Sequence, residues 1–186
     1  MVTADLFRQV MGHWGTGVTI VSTPGRDAKP YGLTVSSFTS VSLNPPLILV
    51  CLDNRISGLQ AFMDAGKFGV SVLAEGQADL STLFAKKDSV RPEELYFTGK
   101  LGVPLIRDSL ATLECVTHAI YAGGDHQIFL GEVHAAAVHA VVRAEIRLAA
   151  GVAVAIGLAG QGEVWQQRRA GLRDALLGRL LLIARS

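Results

Sequence analysis

The sequence is poor in the residues that would define a protein class by themselves. Its 186 residues include 2 cysteines, 6% aromatic and 18% charged residues, and its formal net charge is +1. So few cysteines exclude a disulfide scaffold, and 49% hydrophobic residues exclude a disordered or collagen-like chain. A net charge near zero argues against a protein that coats nucleic acid, because neutralising phosphates needs a concentrated excess of Lys and Arg. The totals predict a globular chain with one main domain.

Signals for a membrane and for export are also missing. The longest unbroken apolar run, residues 148–160, is shorter than the roughly 18 residues that suggest a bilayer span. The first residues, MVTADLFRQVMGHW, lack a basic stretch followed by an apolar core, so they do not read as a secretion signal. We therefore expect a cytoplasmic protein with no membrane partner. Cys51 and Cys115 lie in apolar stretches, which predicts buried, reduced thiols.

The usual catalytic motifs are absent as well. The sequence contains no G-x-S-x-G, no H-E-x-x-H, no paired CxxC and no Walker loop. Its five histidines do not fall at helical i, i+4 spacing, so no metal site is predicted.

What the sequence does contain is a series of strand-like stretches. Short helices are predicted at residues 3–13, 57–64 and 77–87, and strands at 18–23, 31–42, 47–52, 68–73, 111–122 and 127–138. The stretch 47–52 (LILVCL) is apolar at every position, as expected of a strand covered on both faces or lying inside a barrel. Six or seven strands with few short helices predict a closed antiparallel barrel, because closure removes exposed strand edges.

Two segments suggest a ligand site. Residues 32–42 (GLTVSSFTSVS) pack six hydroxyl side chains beside a predicted core strand, and such a stretch can offer hydroxyls and backbone N–H groups to a flat, phosphorylated ligand. The turn at residues 123–126 (GGDH) can present an imidazole at the mouth of a site. Each segment also has a simpler explanation. The hydroxyl side chains lie on the solvent-exposed face of a strand, and Gly-Gly-Asp forms the turn of an ordinary hairpin.

Together and in this order, the segments resemble the short-chain flavin reductase family. The resemblance covers roughly three quarters of the chain and rests on FRQVMGHWGTGVTIVST, YGLTVSSFTSVSLNPPLILVCLD, FGVSVLA, LFAKK and GGDHQIFLGEV. It implies a mainly β fold, the antiparallel, Greek-key-like FMN-binding split β-barrel with a few short helices. It also implies NAD(P)H-dependent reduction of FMN or FAD, a homodimer, and delivery of reduced flavin to a partner monooxygenase. The alternative is a flavin-binding electron carrier or binding module that holds FMN tightly without nicotinamide-dependent turnover.

The resemblance also implies site residues. The block TVSS should contact the isoalloxazine ring and ribityl chain, largely through main-chain groups, and the strand end CLD should border the ring. Ser57, Phe84, Ala85 and Lys86 should surround the ribityl phosphate. Where many relatives have Asn, this chain has Ser36. His126 should bind and orient NADH or NADPH. The implied flavin-binding residues are Gly32, Thr34, Val35, Ser36, Ser37, Cys51, Leu52, Asp53, Ser57, Phe84, Ala85 and Lys86.

The end of the chain departs from this pattern. Residues 1–139, the predicted reductase-like domain, carry 10 basic and 13 acidic side chains, whereas residues 140–186 carry 7 basic and 3 acidic ones. The second part is rich in Ala, Leu, Arg and Gly and lacks the aromatic and basic closing motif of the family. It is interpreted either as a diverged extension, with an amphipathic helix at 163–185, or as the product of a reading-frame shift.

Overall fold

The fold was analysed in a computed structural model, which describes residues 1–25, 29–87 and 89–139. The predictions for residues 140–186, including the helix at 163–185, lie outside the described residues. Strand bounds are β1 (Thr19–Pro24), β2 (Pro30–Val35), β3 (Thr39–Leu43), β4 (Pro46–Asp53), β5 (Lys67–Val72), β6 (Tyr96–Thr98), β7 (Pro104–Ile106), β8 (Ala111–Gly123) and β9 (His126–Val138). The helices are α1 (Ala4–Gly12), α2 (Leu59–Ala65) and α3 (Ala78–Ala85).

Seven strands form one antiparallel sheet in the order β2-β1-β5-β8-β9-β4-β3. Its two edge strands, β2 and β3, are joined by residues 36–38 alone. Three residues span only about 10 Å, so the sheet has to curl until its edges approach one another. This curvature and the short helices confirm the predicted mainly β, antiparallel barrel fold.

The predicted return strand at residues 31–42 is wrong in one respect, because it is two strands on opposite edges of the sheet. The break comes at Ser37, whose hydroxyl accepts from the Cys51 N–H (3.0 Å) and donates to the Cys51 carbonyl (3.1 Å). A side chain thus replaces the main-chain pairing at the point where the chain crosses from β2 to β3. The hydroxyl-rich stretch therefore bridges the two sheet edges.

Aromatic rings fill the main core of the barrel. Phe129 packs edge-on against Phe62 (centroids 6.1 Å apart) and Phe68 (6.5 Å), and all three side chains are fully buried. Close packing there requires Gly131, because a Cβ at that position would lie 2.5 Å from the Phe68 ring. The predicted strands at 111–122 and 127–138 are confirmed as β8 and β9, and they contribute Cys115 and Phe129 to this core.

The short hairpin of β6 and β7 is a feature that the sequence patterns missed, since three-residue strands carry no readable period. It covers the outer face of β5: a Cβ on Gly69 would lie 2.6 Å from Leu105, and the Ile106 N–H donates to the Ser71 hydroxyl (2.9 Å). Four consecutive positions of β5 are consequently buried.

Of the two expectations for β4, a strand inside the barrel sheet is observed and coverage of both faces is not. Ile48, Val50 and Leu52 are buried in the main core, whereas the alternate positions, including Leu49 and Cys51, are only half-buried. Cys51 is thus a free, partly accessible thiol and not the buried one predicted, while Cys115 is a free thiol in the core. None of the helices in the described part of the chain combines the length and the hydrophobicity that a membrane crossing requires.

Candidate functional site

A cavity of about 660 Å³ lies on the open face of β4, where this strand, β2 and the segment after α3 come together. Three stretches that are far apart in the sequence therefore share one site. Among the residues that the resemblance implied, those lining the cavity are Thr34, Val35, Ser36, Cys51, Asp53, Ser57, Phe84, Ala85 and Lys86.

The other four implied residues lie outside this lining. Leu52 points into the core, because successive side chains of β4 alternate between faces. Ser37 supports the site indirectly through its two bonds to the Cys51 backbone. Gly32 lies against α3, where a Cβ would come within 3.1 Å of the Phe84 ring. His126 lies at the β8–β9 turn, directly opposite Asp53 in the β4–β9 pairing.

The hydroxyl of Thr34 already has a partner in the protein. It donates to the Ser81 carbonyl (2.7 Å) and so ties β2 to α3. A ligand in the cavity would therefore meet the main chain of β2 more than this hydroxyl, in keeping with the main-chain contacts that the resemblance implied.

Asp53 and Arg55 form an ion pair at the edge of the cavity. The Asp53 carboxylate accepts from Arg55 Nη2 (2.7 Å), Nε (3.0 Å) and the backbone N–H (2.8 Å). These bonds hold the pKa of Asp53 well below its ordinary value, because they stabilise the ionised form. Asp53 is thus a fixed negative charge, and its partner Arg55 is a cation already neutralised within the chain.

His126 is held by its neighbour in the turn. Its Nδ1 lies 2.7 Å from Asp125 Oδ1, and this hydrogen bond lowers the pKa of the Asp125 carboxyl. The turn is fastened to the end of β4, since Asn54 N–H donates to the Asp125 carbonyl (3.0 Å) and the Gln127 amide donates to Asn54 (2.9 Å). The imidazole therefore has a defined place beside the cavity edge.

Sequence reasoning missed several residues that line the cavity. Arg91 is the most informative, because its guanidinium packs on two aromatic rings of the wall. An arginine five residues beyond the predicted phosphate-binding lysine was the available signal, but the rings it meets could not be seen in the sequence. The missed lining residues are Tyr31, Leu33, Arg55, Ile56, Lys87 and Arg91.

The site thus combines an apolar wall with a cationic one. Leu33, Val35 and Ile56 offer apolar surface, whereas Lys86, Lys87 and Arg91 bring three positive charges from one segment. Such a division suits a flat, partly apolar molecule that carries a phosphate. The cavity volume also falls in the range usual for small-molecule sites.

Comparison with known proteins agrees with this chemistry. The family model described as a flavin reductase like domain matches residues 11–152, so the chain belongs to the flavin reductase family. An NADH-dependent FAD reductase from Streptomyces globisporus is 42% identical over 134 residues, which are 68% of this chain and 71% of that protein. A probable flavin reductase from Rhizobium meliloti is 40% identical over 145 residues, which are 72% of this chain and only 45% of that longer relative.

Solved structures of reductases share the fold. The NADH:FAD oxidoreductase of Streptomyces globisporus C-1027, determined with NAD and FAD fragments, superimposes with a TM-score of 0.69 at 40% identity, covering 75% of this chain and 86% of the other. The flavin reductase component of a bacterial two-component tryptophan halogenase gives a TM-score of 0.69 at 37% identity, covering 74% and 89%. The predicted family and fold are confirmed.

Proposed function

We propose that the chain transfers hydride from NADH or NADPH to FMN or FAD and supplies the reduced flavin to a separate flavin-dependent monooxygenase. The observation that carries this proposal is the cavity on the open face of β4, with its apolar wall and the cations Lys86, Lys87 and Arg91. The names of the related reductases support the same reaction.

The residues present fit a flavin nucleotide. The buried Nε of Arg91 has no hydrogen-bond partner among the described residues, and a phosphate oxygen would supply the missing acceptor. Cys51, Val35 and Ile56 would contact the ring system, while Ser57 and Lys86 would approach the ribityl phosphate.

Bound flavin supplies the hydride acceptor, and the chemistry of transfer belongs to the two cofactors. The chain's own residues hold the reactants close and in register, which can account for most of the acceleration. Asp53 and Arg55 neutralise one another and fix the end of β4. His126, held by Asp125, orients the nicotinamide nucleotide at the cavity edge. Such a site needs no catalytic triad.

A homodimer is part of the proposal. All nine residues of α1 are exposed in the single chain, and apolar side chains stand out from it, including Leu6 (51% exposed) and Phe7 (59% exposed). Apolar surface of this kind is usually covered by a partner, and a second copy of the chain is the partner that the family resemblance implies.

The loss of NADH absorbance, followed with and without added FMN or FAD, tests the proposed reaction. Turnover that requires added flavin and saturates with it is the expected result. A protein that is isolated yellow, and that consumes no NADH with or without added flavin, would instead support the electron-carrier alternative.

Replacement of His126 by Ala tests the nicotinamide side of the site. The KM for NADH should rise about tenfold while the KM for flavin changes far less, because the imidazole contacts only the nicotinamide nucleotide. His134→Ala is the matched control, since His134 lies on β9 beside Glu132 and away from the turn. Equal effects of His126→Ala on both KM values would overturn the assignment.

A further inference from the structure

Arg91 is held against the cavity wall by two rings. Its Cζ lies 5.3 Å from the centroid of the Phe84 ring and 5.8 Å from that of Tyr31, distances within the range of cation–π attraction. Nη2 donates a long hydrogen bond to the Lys86 carbonyl (3.4 Å), which ties the side chain back to the end of α3. The guanidinium therefore has little freedom to move away.

One hydrogen-bond donor of Arg91, its Nε, has no partner among the described residues. This Nε is buried, and no carboxylate of the described residues forms an ion pair with Arg91. Arg55, the other arginine of the cavity, has three bonds to Asp53 instead. A buried, unsatisfied donor on a charged group is costly, so its position beside a cavity points to an anion there.

The surroundings narrow down the kind of anion. Lys86 and Lys87 line the same cavity, so three cations converge, while Asp53, the one carboxylate among the described lining residues, is already paired with Arg55. A planar guanidinium matches two oxygens of a phosphate at once, whereas an ammonium acts as a point charge. The contacts with two rings restrict the guanidinium before the ligand arrives and so reduce the entropy lost on binding.

We propose that Arg91 is a specificity-determining residue, which recognises the phosphate of FMN or FAD and makes the cavity select phosphorylated flavins over riboflavin. The proposal rests on the flavin site proposed above, and it assigns the phosphate contact to a residue that no sequence pattern singled out. Tyr31 and Phe84 act as positioning residues for Arg91.

The test compares dissociation constants for FMN, FAD and riboflavin, measured by quenching of flavin fluorescence in the wild-type chain, Arg91→Met and Arg91→Lys. The readout is the ratio of the riboflavin constant to the FMN constant, because any general disturbance of the wall affects both ligands. Arg91→Met should lower this ratio about ten- to hundredfold, the usual worth of a charge-assisted contact. Arg91→Lys should lower it less, since the charge remains without the planar fork.

Arg107→Met is the matched control, because Arg107 also donates to a backbone carbonyl, that of Glu94 (3.1 Å), but does not line the cavity. Its ratio should equal that of the wild-type chain. A second arm measures the KM for NADH of Arg91→Met with riboflavin as the acceptor, and this KM should stay within about twofold of the wild-type value.

Two results would overturn the role of Arg91 alone. One is an unchanged ratio in Arg91→Met, and the other is a rise in the KM for NADH with the ratio unchanged, which would assign the phosphate to the nicotinamide nucleotide. If wild-type protein binds neither FMN nor riboflavin, the proposed flavin site itself fails, and the role of Arg91 fails with it.

Discussion

The strands β4 and β5 are both rich in apolar residues, although Ser71 interrupts the apolar stretch of β5, and the structure uses them differently. In β5, Phe68 and Val70 enter the core while Gly69 and Ser71 meet the β6–β7 hairpin, so both faces are covered. In β4, one face enters the core and the other is only half-buried. The cavity lies on that uncovered face.

The difference shows how an apolar strand can indicate a binding site. Apolar side chains on a face that the described chain does not cover leave surface that a ligand can remove from water. The same pattern on β5 has a purely structural explanation, because a short hairpin covers it. Sequence alone cannot separate the two cases, since the covering hairpin has strands of three residues each.

Substitutions on the two faces of β4 should differ most in their effect on the free energy of unfolding. Leu52→Ala removes a fully buried side chain and should lower the free energy of unfolding by about 2–5 kcal/mol, whereas Leu49→Ala, the same change on the half-buried face, should cost less than about half as much. Urea denaturation of the ligand-free proteins measures both values. Equal losses would break the distinction between a covered and an open face.

Alkaline pH should lower the free energy of unfolding, because two buried groups, Cys115 and Tyr96, resist losing their protons in the folded state. Burial, helped by Glu114, raises the pKa of the Cys115 thiol to about 12, and burial raises the pKa of Tyr96 to about 12. Above about pH 9 the unfolded thiol loses its proton while the folded one keeps it, so the folded state binds more protons and stability falls as pH rises. Below that pH the effect vanishes.

The midpoint of urea unfolding, measured between about pH 8 and pH 10, should fall as pH rises. In Cys115→Ala this fall should be smaller over the same interval. Tyr96→Phe is the matched variant, because tyrosine titrates at higher pH and its removal should matter only above about pH 10. A decline that is identical in the wild-type chain and in Cys115→Ala would show that this thiol does not control the response.

Much of the fold was predictable because its signals are local. Each of three signals lies within a few consecutive residues: the β-branched run of β1, the Gly-Gly-Asp turn between β8 and β9, and the Thr3 cap of α1. The Thr3 hydroxyl accepts from the Leu6 N–H (3.3 Å). The split of β2 from β3 was not predictable, since it depends on Ser37 bonding to Cys51, fourteen residues away.

The same limit applies to the site. Nine of the residues that the resemblance implied line the cavity, but the resemblance could not show that Leu52 faces the core, nor that the Arg91 guanidinium lies near the Tyr31 ring. Each of these depends on which face of a strand is covered or on a contact between distant segments. Alternation within β4, visible only once its partners are known, explains why Cys51 and Leu52 have opposite surroundings.

The two thiols give the most direct test of the claim that the open face of β4 is the flavin site. Cys51 lines the cavity and Cys115 is fully buried, so a thiol reagent should modify Cys51 alone in the native protein. Mass spectrometry of the peptides, with increasing FMN present, measures its rate of modification. We predict that the rate falls in proportion to bound FMN, and an unchanged rate at saturating FMN would contradict the account.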